Sequence, residues 1–288
     1  MFLFEVTLQT HTHTHRTDMP SHTLLSLAFV VFAFFGGSTS SHQPSSNMSD
    51  TSAQYVYHAA DTRGHANHGW LNTYHSFSFA SWHNPERMHF GALRVLNDDY
   101  VAGGGGFQTH PHDNMEIVSI PLEGDLEHGD NMGNTTVIRN GDVQILSAGT
   151  GIMHSEKNYS TSDAVRFLQI WVFPDTRDLK PSYGQRSFET AQEQNDLLCV
   201  VSPDGAKGVQ MHQNAWFHLG TWDAQHRGEY RLHGSGQGVY AFVLEGSLEI
   251  DGKPLSRRDG LGIWDAEAID ITASEDARFL LMEVPMQW

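Results

Sequence analysis

From Tyr55 onward, apolar and polar positions alternate over short runs that are closed by Gly, Asp, Asn or Pro. Such runs include "FGALRVLN", "MEIVSIPLEG", "GDVQILSAG", "RFLQIWVFP", "DLLCVVSP", "GVYAFVLEGSLEIDG" and "ARFLLMEVP". Alternation with a period of two, punctuated by turn residues, predicts strands, and no long stretch holds a 3.6-residue period. The pattern predicts an all-β protein. A repeat is visible within it: "SIPLEGDLEHGD" (119–130) resembles "AFVLEGSLEIDG" (241–252), and each is followed by a Gly/Asp turn and another strand. A strand, Leu-Glu-Gly turn, strand unit occurring twice predicts two copies of one β-barrel. Between them, around 175–194, the chain turns polar, as expected of a crossing between domains.

Residues 1–50 are unlike the rest. "LLSLAFVVFAFF" (24–35) is too short for a membrane span of about 20 residues and has the length of a signal-peptide core, although its flank carries Glu5 and Asp18 against Arg16 alone. "HTHTHRT" (11–17) is an alternation that a CA-dinucleotide repeat encodes. The segment therefore reads as upstream sequence carried through to a start at Met48, with a genuine signal or anchor as the other reading. The domains expected are an extension outside the fold (1–50), a metal-binding barrel (51–176), a linker (177–194) and a second barrel without the metal motif (195–288). The cytoplasm is the expected compartment, or a secreted or periplasmic location should the apolar run act as a signal.

Charge narrows the partners. Asp and Glu number 34 against 17 Lys and Arg, a net charge of −17, and the basic residues are scattered. Such a surface repels phosphate backbones, so direct nucleic-acid binding is not expected, and neither is membrane association. The lone Cys199 cannot form an internal disulfide.

Histidine is abundant, and two short motifs carry the chemistry. "THPHDNMEI" places His110 and His112 at i and i+2, on the same side of a strand. "GTGIMHSEKN" does the same for His154 and Glu156. If the two strands pair, three neutral imidazoles and one carboxylate converge. That set suits one divalent transition metal with open positions, iron(II) first, with Mn, Ni, Co or Cu able to compete. With no cysteine ligand, a structural zinc site is not expected. A +2 ion in this set leaves about one positive charge, which favours an anionic oxygen ligand. The second repeat has only His233 in the comparable place, so it reads as a scaffold.

Other residues get plainer expectations. His65, His68, His75 and His83 are expected to hydrogen-bond near the barrel lip. Phe77 and Phe79 are expected to fill the core or to wall a flat pocket. Trp216, Trp222 and Trp264 are expected to pack the second barrel, and Asp98 and Asp99 to cap a turn.

These motifs, together with "RGHANHGWLNTYHSFSFASWHNP" (63–85) and "GALRVLNDD" (91–99), resemble the pirin family of the cupin superfamily from about Tyr57 to the C-terminus. Within it they resemble the bacterial pirin-like proteins with quercetin 2,3-dioxygenase activity. The resemblance implies a bicupin of two tandem jelly-roll barrels, with one metal in the N-terminal barrel held by His110, His112, His154 and Glu156. In many other cupins Glu116 would be a ligand; the resemblance leaves it beside the site instead. Ser147 stands where the second motif usually has proline. The implied activity is oxygen-dependent opening of a flavonol or polyphenol, with Glu156 as proton acceptor. An alternative implied by the same resemblance is a metal- or redox-sensing co-regulator that acts through a protein partner.

Overall fold

The computed structural model describes residues 52–188 and 194–288; the N-terminal extension with its His-Thr and apolar runs lies outside the described residues. These residues form 22 strands and one short 3-10 turn. The strands make two seven-stranded and two four-stranded sheets, one of each per barrel. Every strand pair is antiparallel except the short contact of Leu197–Ser202 with Val209–Gln210. The all-β bicupin expectation is met.

The repeat has its expected physical basis. Glu116–Glu123 and Gln237–Glu245 are central strands of the two large sheets, and each leads through a Leu-Glu-Gly turn into a strand of the small sheet. Gly124 and Gly246 sit at φ +71° and +73°, the left-handed conformation that glycine adopts without a Cβ clash.

Neither barrel is made from one unbroken segment. The first strand, Gln54–His58, pairs with Gly260–Trp264 at the edge of the second barrel's large sheet. In exchange, Ser182–Ser187, within the polar stretch read as a crossing, pairs with Asp142–Ser147 of the first barrel. Alternation in this stretch is masked by hydrophilic side chains, because an edge strand buries little on either face. Asp98 and Asp99 also depart from expectation. They lie inside the strand Leu93–Val101 rather than at a turn. Asp98 is held by Arg63 at 3.2 Å and Arg258 at 3.1 Å, which makes it a tie between the barrels.

Burial decides which barrel has room for chemistry. The large sheets of both barrels share one core, in which Phe77, Leu93, Val118 and Leu168 meet Phe217, Tyr240, Phe242 and Leu280. The second barrel's interior is a further continuous apolar cluster that includes Trp222, Val239, Val243 and Phe279. In the first barrel the corresponding apolar residues form two small groups, one around Phe167 and one around Ile117. Its buried residues include Ser119, His128, His154, Glu156 and Gln169 instead. Buried polar groups need partners or ligands, so this interior is where function is to be sought.

Candidate metal centre

Two neighbouring strands of the small sheet build the site. Gly106–His112 runs antiparallel to Ile152–Asn158, with His110 directly opposite His154 and His112 opposite Ile152. Along Ile152–Asn158 the even-numbered residues Ile152, His154, Glu156 and Asn158 are buried while Met153 and Lys157 are exposed. This alternation puts His154 and Glu156 on the interior face, as their i, i+2 spacing predicts. A register shift between His154 and Glu156 then places Glu156 opposite Phe107 rather than Gln108. The extra residue of this bulge turns the apolar Phe107 inward and leaves Gln108 exposed.

The result is a cluster of three imidazoles. One potential ligand atom from each of His110, His112 and His154 lies within 4.8 Å of the others, the single such grouping of three found among the described residues. Ring centroids are 4.5–5.0 Å apart. His110 Nδ1 donates to the Gln108 carbonyl at 2.7 Å, which leaves Nε2 with its lone pair free. Both ring nitrogens of buried His154 lack any hydrogen-bond partner. Burial, with the neighbouring imidazoles, pushes His112 and His154 down to about 3, so both are neutral near pH 7. Neutral, unpaired imidazole nitrogens that converge are what a borderline divalent transition metal needs, so the residues present fit such an ion.

Glu156 stands beside this group and is not one of the three. Its carboxylate accepts from Ser119 Oγ at 2.7 Å and from Gln169 Nε2 at 2.5 Å, and it is 2 % exposed. Glu116 has a separate task. It accepts from Ser147 Oγ at 2.7 Å and from the His212 amide at 3.1 Å, so it ties the first barrel to the second. Burial raises its pKa above the ordinary carboxylate range, although both hydrogen bonds oppose that. The serine at the usual proline position is thus the partner that keeps a buried Glu116 satisfied.

Sequence reasoning missed His128. It lies opposite Glu156 on the strand Leu126–Asp130, fully buried, 5.5 Å from the His154 ring and 4.8 Å from that of Tyr183. Its Nε2 is 3.0 Å from Asp130 Oδ2 and its Nδ1 has no partner. Asp130 is held below the usual carboxylate range despite burial, by His128, Asn134 and the Met132 amide. The signal was present in "LEHGD", where His128 and Asp130 share the i, i+2 spacing of the recognised motifs. Asp99 was likewise misplaced: it is buried, and burial pushes it up to about 7.

Aromatic side chains lead to the triad. Trp171 meets His112 edge-on at 4.8 Å, and Phe79 meets Trp171 at 5.3 Å. Phe107 lies 6.5 Å from His110, with partly exposed Trp70 against it at 5.3 Å. Phe77 is core, whereas Phe79 belongs to this wall. Of the crowded histidines, His65, His68 and His83 are exposed, and His75 is buried on Asn97 at 2.8 Å. In the second barrel Trp222 is buried, Trp264 packs against the shared core, and Trp216 stacks on His233 at 3.9 Å. His233 Nδ1 lies 2.8 Å from Glu283, so the histidine in the comparable place of the second repeat is part of a hydrogen-bond network.

The buried histidines set a pH dependence. His58 is lowered to about 4 by burial and then by Arg87, and His218 to about 4 by burial and then by His233, alongside His112 and His154. Below the ordinary value of 6.5 the unfolded chain takes up protons that the folded chain refuses. Their contribution to stability is therefore full above pH 6.5 and is lost as pH falls, through about 4 for His58 and His218 and about 3 for His112 and His154. His58 alone contributes a loss of about 2 kcal/mol at pH 5. Asp99 and Glu116, raised by burial, act in the opposite sense but are outnumbered. The metal-free protein is expected to melt several degrees lower at pH 5 than at pH 7.5; a flat melting temperature over this range would contradict the assignment.

Two tandem jelly-roll barrels, with one imidazole triad in the first, define a bicupin with a single candidate metal centre among the described residues. The pirin family model matches residues 56–172, and that of the quercetinase C-terminal cupin domain matches residues 199–284. The quercetin 2,3-dioxygenase of Escherichia coli K12 is 44% identical over 78% of this chain and 96% of its own. A pirin-like protein of Caulobacter vibrioides is 39% identical over 77% of this chain and 96% of its own. The crystal structure of the bacterial pirin YhhW from Escherichia coli in complex with nickel(II) superposes with a TM-score of 0.76 at 39% identity, covering 81% of this chain and 99% of that one. The chain belongs to the pirin family. Among its described residues no helix is long and apolar enough to cross a membrane.

Proposed function

We propose that this pirin is a metal-dependent dioxygenase that opens flavonol-type substrates with O2, as a quercetin 2,3-dioxygenase does. The observation that carries the reading is the convergence of three imidazoles at a wall of aromatic rings. His110, His112 and His154, with Glu156, would hold one divalent ion, iron(II) first, with Mn, Ni, Co and Cu as competitors; the nickel bound to YhhW belongs to that protein. When bound, the metal supplies Lewis acidity and a template for the ionised substrate oxygen.

The chain's own residues supply the rest. Glu156 accepts the proton of the flavonol 3-hydroxyl as general base. Ser119 and Gln169 hold its two carboxylate oxygens in place, so it is already oriented when substrate arrives. Phe79 and Trp171, packed edge to face, offer an apolar wall for the substrate rings and exclude water from that side. In the balanced reaction the heterocycle opens, carbon 3 leaves with its oxygen as carbon monoxide, and both atoms of dioxygen remain in the ester product. Aerobic incubation with quercetin after loading with each of the five metals tests the reading. Oxygen uptake with matching carbon monoxide release is expected with at least one of them; none with any metal would refute it.

A further inference from the structure

The turns that lead into Asp142–Ser147 and Gly260–Trp264 occupy the same place in the two barrels. In each, the aspartate amide donates to the carbonyl three residues back, Asp142 to Arg139 at 2.9 Å and Asp259 to Ser256 at 3.0 Å. In each, the aspartate carboxylate accepts from that same residue's amide, at 3.0 and 2.8 Å. The third residue of both turns is left-handed. In the first barrel it is Gly141, at φ +92°, the residue type this conformation favours. In the second it is Arg258, at φ +68°, with a side chain only 7% exposed.

An arginine in a glycine position, with its guanidinium buried, is costly in backbone and in solvation. Its hydrogen bonds do not account for it. Nε reaches Asp98 at 3.1 Å, Nη2 is 3.7 Å from Glu245, and buried Nη1 has no partner. Arg258 lines a cavity of about 280 Å³ between the two Leu-Glu-Gly turns, with Glu123 and Arg166 from the first barrel and Glu245, Arg257 and Arg278 from the second. Glu123 is taken by Arg166 at 3.1 Å and Glu245 by Arg257 at 2.6 Å. Arg278 lies opposite Glu245 in register, and its guanidinium has no hydrogen bond to any described residue. Four guanidiniums against two carboxylates line this cleft, in a chain of net charge −17. None of the three triad histidines lines it.

We propose that the cleft between the barrels binds a compact anion carrying two or more oxyanion groups, of the polycarboxylate or phosphate class. Guanidinium forks match such groups in charge and in bidentate geometry. The volume sits at the small end of ligand pockets, which selects a compact ligand over an extended one.

Calorimetric titration of the full chain at low ionic strength, with propane-1,2,3-tricarboxylate and with inorganic phosphate, tests this. Saturable one-to-one binding of the tricarboxylate with a Kd of about 1 mM or below is expected, weaker for phosphate and weakened by added salt. Arg258→Gly restores the residue type of the first turn and leaves Asp98 paired with Arg63. It is expected to weaken binding about tenfold or more, as is Arg278→Ala at a partly exposed position. His110→Ala is expected to leave binding unchanged. The proposal is overturned by no saturable heat from either probe up to about 20 mM. It is equally overturned by native affinity in both arginine variants, or by loss of binding in His110→Ala. Melting curves establish that each variant is folded.

Discussion

Replacing His154 with alanine is expected to strip the metal from the protein and to abolish flavonol turnover. His154 sits at the centre of the triad, opposite His110 in register and 5.0 Å from the His112 ring. Neither of its ring nitrogens has a protein partner, so the imidazole contributes no hydrogen bond to folding that alanine would orphan. What is lost is one of three converging nitrogen ligands. Because changing a group that merely supports a ligand lowers metal affinity by roughly 10–100-fold, deleting a ligand should exceed about 100-fold. Metal content of the purified variant is expected to fall below about a tenth of an equivalent while the melting curve of the metal-free protein stays cooperative. Elemental analysis checks the first and calorimetry the second. A variant that retains a full equivalent of metal would remove His154 from the centre.

The second large effect is expected from Glu156→Gln. The amide keeps the shape of the carboxylate and its bond with Ser119, but loses the charge and the capacity to accept a proton. General-base loss lowers kcat by about 10²–10⁴-fold. At saturating metal, kcat is expected to fall within that range while KM for the flavonol changes little, because the aromatic wall of Phe79 and Trp171 is untouched. Metal affinity is expected to weaken by a smaller factor, since three imidazoles remain. Oxygen-uptake kinetics with parallel metal titration separate the two. Undiminished kcat with full metal would assign Glu156 a purely structural role on Ser119 and Gln169.

Local spacing made part of this site legible before any fold was known. An i, i+2 pair on a strand must share a face, so "HPH" and "HSE" each announced a pair of side chains pointing together. The structure adds that His110 and His154 are opposite one another in register, a fact of pairing that no spacing within one strand contains. The bulge that turns Phe107 inward and the burial of His128 beside Glu156 are likewise products of pairing. "LEHGD" carried the same i, i+2 signal as the other motifs, yet only its strand's position next to Ile152–Asn158 makes that signal meaningful.

The strand exchange between barrels was hidden for a related reason. Gln54–His58 and Ser182–Ser187 are short edge strands with weak alternation, and their partners lie more than about 200 and about 40 residues away in the chain. Asp98 and Asp99 read as turn residues by type, yet long-range partners, Arg63 and Arg258 for Asp98, hold them within a strand.

By itself the sequence determined the all-β class, the twofold repeat, the barrel that carries the histidines and the residues that share a face of each strand. These follow from periodicity and composition, which act over a few residues. Tertiary structure alone decided that the three imidazoles meet, that Glu156 rests on Ser119 and Gln169, that Glu116 ties one barrel to the next, and that Arg258 lies in a cleft of guanidiniums. Those outcomes depend on register and packing between distant segments, where the energy of a contact is set by what it meets across the barrel.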